Sequence, residues 1–254
     1  MNIPHWGIVD GNELMKCGLA DKCIILNDFE CAGFALNALS SSDLCILRSG
    51  RTRVGNVKVM VGVGTGLGVT FATQTDGVYV PYSSEAGWTT FSPIAEIDYK
   101  LVDFIKARNG WKSLGFEQVC SGRAVGIIHE FFTHQAGLDY STKTPSDICK
   151  EFYSCSISRL TIQLLLEYLG RFLSQLGIIF KPSEGIFLCG GLMDSLNDII
   201  KNDDSFFRGL DSQPAPILSD IAGVAPIYYV DIPDVGLCGA RECCIIIETN
   251  SKLP

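Results

Sequence analysis

The chain has 254 residues, 47% of them hydrophobic and 19% charged, which predicts a folded globular protein and disfavours disorder. A formal net charge of −8 disfavours nucleic acid or an anionic membrane as the main partner, but it is compatible with a small phosphate site built from backbone N–H groups. No window approaches the roughly 18 apolar residues of a membrane span, residues 1–13 show no signal peptide, and the 11 cysteines contain no CxxC pair, so a cytoplasmic protein with reduced thiols is expected.

The predicted elements follow a mixed α/β order with both hairpins and crossovers. Residues 22–26 are a short apolar run that predicts a buried strand, after which alanines and leucines at helical spacing predict a helix that starts near Asp28. Strands are further predicted at residues 57–61, 69–73, 78–80, 185–189 and 227–230, and helices at residues 94–107, 124–135, 154–177, 191–200 and 235–244.

Several familiar sites are missing from the sequence. It contains no GxxxxGK[ST] phosphate loop and no GxSxG nucleophile elbow. The glycine cluster from Gly62 to Gly68 does not match a GxGxxG dinucleotide loop, because Leu67 occupies the third glycine position and a strand follows. His129 and His134 lie about 140° apart around a helix, which disfavours a shared metal, and no metal site of the protein is predicted.

Asn27 and Asp28 follow the first predicted strand, and ends of strands are where ligands bind in α/β folds. Transfer of a phosphoryl group to a hydroxyl needs a carboxylate that accepts the proton, and Asp28 is the candidate for that base. The alternative is purely structural, since an Asn-Asp pair is also a common helix cap.

Two glycine segments are candidate nucleotide contacts. In the glycine cluster, alternating glycines let the backbone aim N–H groups at phosphate oxygens, and the hydroxyl of Thr65 lies at its centre. Gly190-Gly191 ends a predicted buried strand where a helix begins, a suitable place for a nucleoside. The alternatives are an ordinary wide hairpin turn for the cluster and a tight strand-to-helix turn for the pair.

Two glutamates beside small residues are candidate sugar ligands. Glu85 lies in Ser84-Glu85-Ala86-Gly87, and Glu117 precedes Ser121-Gly122. Carboxylates accept hydrogen bonds from the several hydroxyls of a sugar. A glutamate taken alone is more often a solvated surface residue.

Taken in order, these segments resemble the bacterial-type glucokinases of the actin-like sugar-kinase superfamily, and the likeness runs through nearly the whole chain. The resemblance implies an α/β fold of the actin-like (ribonuclease H-like) kind, with mixed sheets and two lobes that close over the sugar. Its landmarks are Leu26-Asn27-Asp28-Phe29, Gly62-Val63-Gly64-Thr65-Gly66-Leu67-Gly68, Ser84-Glu85-Ala86-Gly87, Glu117 with Ser121-Gly122, Cys189-Gly190-Gly191 and Val235-Gly236-Leu237-Cys238-Gly239-Ala240.

The resemblance also implies a role for each candidate residue, in the reaction of ATP with D-glucose to give ADP and D-glucose 6-phosphate. Asp28 would take the proton of the sugar 6-hydroxyl. Gly64, Thr65 and Gly66 would cradle the ATP phosphates, and Mg²⁺ would enter with ATP and need few protein ligands. Gly190-Gly191 would lie by the adenosine. The other sugar hydroxyls would be held by Asn27, Glu85 and Glu117.

Two departures from the family pattern bear on this activity. The family has Glu-Gly-Gly-His where this chain has Glu85-Ala86-Gly87-Trp88, so Trp88 replaces a sugar-binding histidine, and indole donates a hydrogen bond but accepts none. The family's opening Asp-x-Gly-Gly-Thr hairpin, a phosphate and magnesium site, has no counterpart in the sequence. We therefore expect an incomplete small lobe (residues 1–40, completed by 236–254), a large lobe of residues 41–235, and little kinase activity or solubility from the chain alone.

Two other functions remain open. Trp88 and the absent motif favour a catalytically impaired relative that binds sugar as a sensor or partner subunit, whereas Asp28 and the glycine cluster favour the enzyme. A kinase for an N-acetylated or other hexose is a third alternative. No nucleic acid or membrane partner is expected, and a homodimer is a candidate assembly.

Overall fold

The computed structural model describes residues 7–18, 21–51, 55–212 and 225–249 of the chain. Its strands are β1 (Leu44–Arg48), β2 (Val57–Val63), β3 (Leu67–Thr75), β4 (Val78–Ser84), β5 (Gly185–Cys189) and β6 (Ile227–Val230). They form one mixed six-stranded sheet in the order β1-β6-β5-β2-β3-β4.

Helices cover both faces of this sheet. They are α1 (Gly11–Lys16), α2 (Asp28–Gly33), α3 (Glu96–Asn109), α4 (Gly122–Gln135), α5 (Pro145–Lys150), α6 (Ser156–Phe180), α7 (Gly191–Asn202), α8 (Ser205–Leu210) and α9 (Val235–Thr249). Within the part of the chain that the structure describes, none of them combines the length and the apolarity needed to cross a membrane.

The connections between strands decide which loops share an edge of the sheet. β2, β3 and β4 form an antiparallel meander, and the second hairpin turn has positive φ at Asp76 (51°) and Gly77 (85°), as a tight type I′ turn requires. β5 and β6 run parallel to β2 after helical crossovers. The turn after β2 therefore lies at the same edge as the carboxyl ends of β5 and β6, where open α/β sheets bind ligands.

Both faces of the sheet are buried, as alternate residues of β2 show. Val59 and Val61 pack in the large core that contains the apolar faces of α4 and α6, whereas Met60 packs on the opposite face with Ala32 of α2. α9 lies over α2 at very short range, because a Cβ at Gly239 would come within 1.9 Å of a backbone carbonyl oxygen of α2. The start of α2 is thus fixed between the sheet and α9.

The predicted strands and helices are confirmed, with the exception of one strand. Residues 22–26 form no strand: the segment pairs with no strand among the described residues, and Ile24 and Ile25 are 49% and 57% exposed. An apolar run becomes a strand only where a neighbour pairs with its backbone. β1, an edge strand that pairs with β6, was not predicted, and neither were the short helices α1, α5 and α8. The lobe boundaries, residues 1–40 with 236–254 and 41–235, stay a prediction.

Candidate active site

Asp28 is the first residue of α2 and is exposed. Asn27 caps the helix, because its side-chain oxygen accepts hydrogen bonds from the N–H groups of Phe29 and Glu30 at 2.9 and 3.3 Å. The structural alternative for the Asn-Asp pair is therefore correct. Capping does not use every polar atom of the two side chains. The Asn27 amide nitrogen and one Asp28 carboxylate oxygen have no partner among the described residues.

Phe29 packs against the hairpin of β2 and β3 and thereby positions Asp28 beside it. Its ring lies on Gly62 and Gly68, which pair with each other across the hairpin. A Cβ would come within 1.9 Å of the ring at Gly62 and within 2.2 Å at Gly68, so only glycine leaves room for it. These two glycines therefore contact a side chain of the protein. The predicted phosphate contacts of Gly64, Thr65 and Gly66 concern the turn between these two glycines and stay a prediction.

The turn itself, Gly64-Thr65-Gly66, is called here the glycine turn. Its Gly64 N–H donates to the Gly66 carbonyl oxygen at 3.0 Å, and the Gly64 carbonyl oxygen accepts from the N–H of Gly122 in α4 at 2.7 Å. A carboxylate oxygen of Glu117 accepts from the Leu67 N–H at 3.1 Å. The backbone of the turn is thus held in place by neighbouring elements before any ligand binds.

Gly64 and Gly191 line a cleft of about 680 Å³, the glycine-turn cleft. A Cβ at either residue would meet no atom within 4 Å, and neither residue has a positive φ. Neither packing nor backbone conformation therefore requires glycine at these two positions. Because both residues lack a side chain, the backbone beside the cleft is accessible, as binding of a phosphate group requires. The other lining residues are Thr65, Gly122, Arg123, Thr144, Pro145, Ser146, Leu192 and Ser195.

Gly190 differs from its neighbour Gly191. Its φ is 102°, and a Cβ there would lie 2.7 Å from the carbonyl oxygen of Val63. Gly190 therefore makes the tight strand-to-helix turn, whereas Gly191 opens onto the cleft. The tight turn that was the structural alternative for the pair is thus correct for Gly190, and the nucleoside contact of Gly191 stays a prediction.

Asp28 lines a second cleft of about 420 Å³, the Asp28 cleft, which adjoins the first because Gly191 lines both. Asp194 and Asp234 add two more carboxylates to its wall. Burial, followed by the negative charge of Asp194, raises the pKa of the Cys189 thiol in this wall to about 12. That thiol stays protonated at neutral pH and is not a nucleophile.

The remaining predicted sugar residues lie near the glycine turn but line neither cleft. Glu85 and Trp88 are exposed, Trp88 to 56%, at the 3-10 turn that follows β4. That turn packs tightly on the hairpin, because a Cβ at Gly87 would lie 2.1 Å from the Leu67 carbonyl oxygen. Glu117 bonds to the N–H of the same Leu67. The structure therefore joins Glu85, Trp88 and Glu117 to the glycine turn, and it joins Asp28 to the same hairpin through Phe29.

Several residues that line the two clefts were not predicted from the sequence. Arg123 directly follows the recognised Ser121-Gly122 landmark, so its place beside the glycine turn had a signal in the sequence. Asp194 lies one turn into α7, and no local pattern marks it. Thr144 and Ser146 come from the start of the short helix α5, far along the chain from the other cleft residues.

Comparisons with known proteins bear directly on this arrangement. A family model described as Glucokinase matches residues 1–245. A glucokinase of Agrobacterium fabrum is 28% identical over 237 residues, which are 92% of this chain and 68% of that protein.

Two solved structures share the fold. The glucokinase from Balamuthia mandrillaris in complex with glucose has a TM-score of 0.73 and 17% identity over 87% of this chain and 65% of its own. A ROK family glucokinase from Streptomyces griseus in complex with glucose and AMPPNP has a TM-score of 0.59 and 17% identity over 91% of this chain and 70% of its own. The chain thus spans about two thirds of the length of these relatives.

These likenesses confirm the actin-like fold that the sequence predicts. The family match extends over the segments that build both clefts, from Asn27-Asp28 to the start of α9. The chain belongs to the glucokinase family.

Proposed function

We propose that the protein is a hexokinase-type phosphotransferase that moves the γ-phosphoryl group of ATP to the 6-hydroxyl of D-glucose, with Asp28 as the general base. The adjacency of the two clefts carries this proposal, because the candidate base lines one cleft, Gly64 and Thr65 line the other, and Gly191 lines both. Membership in the glucokinase family supports the choice of sugar, and the relative solved with glucose and AMPPNP supports the choice of nucleotide.

ATP would occupy the glycine-turn cleft. Thr65 is exposed there. Arg123 in the first turn of α4, and Gly191 and Leu192 in the first turn of α7, also line the cleft. The backbone N–H groups of these three residues have no partner among the described residues, which favours phosphate. Gly191 would lie by the adenosine. Mg²⁺ would enter with ATP, would need few protein ligands, and would neutralise phosphate charge when bound.

Asp28 would accept the proton of the sugar 6-hydroxyl while the oxygen of that hydroxyl forms a bond to the γ-phosphorus of ATP. The bond from that phosphorus to the β–γ bridging oxygen breaks, and ADP leaves. Because Asp28 is exposed, the closure that the family fold implies would have to exclude water before transfer.

The other sugar hydroxyls would be held by Asn27, Glu85 and Glu117. Glu117 uses one carboxylate oxygen for the Leu67 N–H, which leaves the second oxygen for a sugar hydroxyl. A sugar bound there would share its ligand with the backbone of the glycine turn. Trp88 stands beside this position and would contribute an indole N–H donor.

A second candidate function is a catalytically impaired relative that binds sugar as a sensor or partner subunit. The observation that favours it is the separation of Glu85, Trp88 and Glu117 from the lining of the Asp28 cleft.

A coupled assay of ADP formation separates these two functions. We expect ADP release that depends on D-glucose, with glucose 6-phosphate as the product, from the 254-residue chain or from the same chain preceded by an Asp-x-Gly-Gly-Thr segment of a family relative. If neither form turns over while glucose binds in calorimetry, the sensor function is correct. Faster turnover of an N-acetylated hexose would instead correct the substrate.

Trp88→His is expected to tighten glucose binding by about two- to tenfold, the effect of one added hydrogen bond. Imidazole both donates and accepts, whereas indole only donates. Calorimetry with glucose measures the change, and Trp111→His, which alters another exposed tryptophan, is the control. Unchanged or weaker binding in Trp88→His would place Trp88 outside the sugar site.

A further inference from the structure

We infer that Arg123 is a nucleotide-binding residue whose guanidinium group holds the phosphate chain of ATP in the glycine-turn cleft. The inference rests on the proposed function. It adds a basic side chain to a phosphate site that otherwise consists of backbone N–H groups and the hydroxyl of Thr65.

The position of Arg123 is fixed by the residues before it. The Gly122 N–H donates to the Gly64 carbonyl oxygen at 2.7 Å, and a Cβ at Gly122 would lie 2.8 Å from the same oxygen. Ser121 caps α4 by accepting a hydrogen bond from the Ala124 N–H at 3.3 Å. The backbone that carries Arg123 is therefore attached to the glycine turn on one side and to the helix on the other.

The direction of Arg123 is fixed by the residues after it. Ala124, Val125 and Ile128 are fully buried in the main core, which sets the rotation of α4 about its axis. Arg123 lies on the remaining face, where it is exposed and lines the cleft. Arg123 thus lines the same cleft as Gly64 and Thr65.

The charge of Arg123 is unpaired among the described residues. Arg159 donates to backbone carbonyl oxygens, and the arginines that pair with carboxylates are Arg48, Arg108, Arg171, Arg208 and Arg241. Within the described ranges, Arg123 is also the one basic side chain that lines either cleft. It is therefore free to bind an anion without breaking an existing ion pair.

A basic side chain at this site would offset the negative charge that surrounds a bound polyphosphate. The chain has a net charge of −8, and three aspartates line the adjoining Asp28 cleft, so the surrounding field repels ATP. A guanidinium group offers two parallel N–H donors to phosphate oxygens, a charge-assisted contact roughly twice as strong as a neutral hydrogen bond. Since Arg123 lies on the glycine-turn side of the cleft, it would contact the phosphates and not the adenosine.

The test is calorimetry of ATP, ADP and adenosine binding to the full chain and to Arg123→Ala. We expect ATP and ADP to bind about 10- to 100-fold more weakly to the variant, and adenosine and glucose to bind equally to both proteins. Affinity for ATP should also depend less steeply on salt in the variant. Arg51→Ala is the control, because Arg51 is also exposed and unpaired among the described residues. Arg51 follows β1, which ends beside the amino end of β6, whereas the glycine turn follows the carboxyl end of β2.

The outcomes distinguish this inference from the proposed function. Equal ATP affinity of the wild type and Arg123→Ala overturns the inference and leaves the proposed function standing. A parallel loss of adenosine binding overturns it too, because the variant would then have damaged the cleft as a whole. If the wild type binds neither ATP nor adenosine, the proposed function fails and the inference fails with it.

Discussion

Asp28→Asn is expected to lower kcat by about 100- to 10,000-fold, the usual contribution of a general base. The amide keeps the shape of the carboxylate and the contact with the Phe29 N–H, but it does not accept the proton of the sugar hydroxyl. KM for glucose should change much less than kcat, because the lost interaction develops as the proton moves. Steady-state kinetics on the form of the protein that turns over would measure both.

Stability should distinguish a lost base from a damaged helix. Asp28 is exposed and Asn27 retains its cap, so the variant loses only the interaction of one charge with the helix N-terminus, about 0.3–1 kcal/mol. Glu30→Gln is the matched control: it removes a carboxylate from the same helical turn but lines neither cleft, and it should keep wild-type kcat. Near wild-type turnover of Asp28→Asn would remove Asp28 from the mechanism.

The glycine cluster shows how far the sequence determines the site. Its spacing predicted correctly that a turn joins β2 to β3, and the predicted phosphate contacts of that turn stay a prediction. It did not separate Gly62, which seats Phe29, from Gly64, which opens onto the cleft. The two residues differ only in what packs against them, and that is decided by a segment more than thirty positions away in the chain.

Other features also depend on contacts between residues that are far apart in the chain, and they were therefore not predicted from the sequence. The run at residues 22–26 has the composition of a strand but no strand beside it, whereas β1, which is equally apolar, pairs with β6. The role of Arg123 depends on the hydrogen bond between Gly122 and Gly64, which local periodicity does not reveal. Local sequence therefore predicted the elements, and tertiary contacts selected which of their residues reach the clefts.

Asp98 is the centre of a buried polar network that joins α3 to α6. Its carboxylate is fully buried and accepts hydrogen bonds from the Tyr168 hydroxyl at 2.9 Å, from the Arg171 guanidinium at 2.6 Å, and from the N–H groups of Ile94 at 2.8 Å and Ala95 at 3.0 Å. Burial alone would raise the pKa of Asp98, but the hydrogen bonds from Ala95 and Arg171 outweigh it and hold the pKa below 3.8.

Asp98→Asn is expected to lower the free energy of unfolding by about 3–5 kcal/mol, because it leaves the buried Arg171 charge partly uncompensated. The contribution of the Asp98 carboxylate is complete above its unfolded pKa, near 3.8, and disappears as the pH falls through the lower folded pKa. The difference between wild type and variant should therefore be constant from pH 7 to about 4 and should shrink in stronger acid. Urea unfolding at a series of pH values would measure it.

Two further variants separate the buried network from charge in general. Glu96→Gln removes an exposed carboxylate in the same turn of α3, where it pairs with Lys100 at 2.7 Å, and a surface pair of this kind contributes little to stability. Adding Arg171→Met to Asp98→Asn should recover part of the lost stability, since the unpaired cation is then gone. Equal losses for Asp98→Asn and Glu96→Gln, or no recovery in the double variant, would show that the carboxylate of Asp98 does not organise this part of the core.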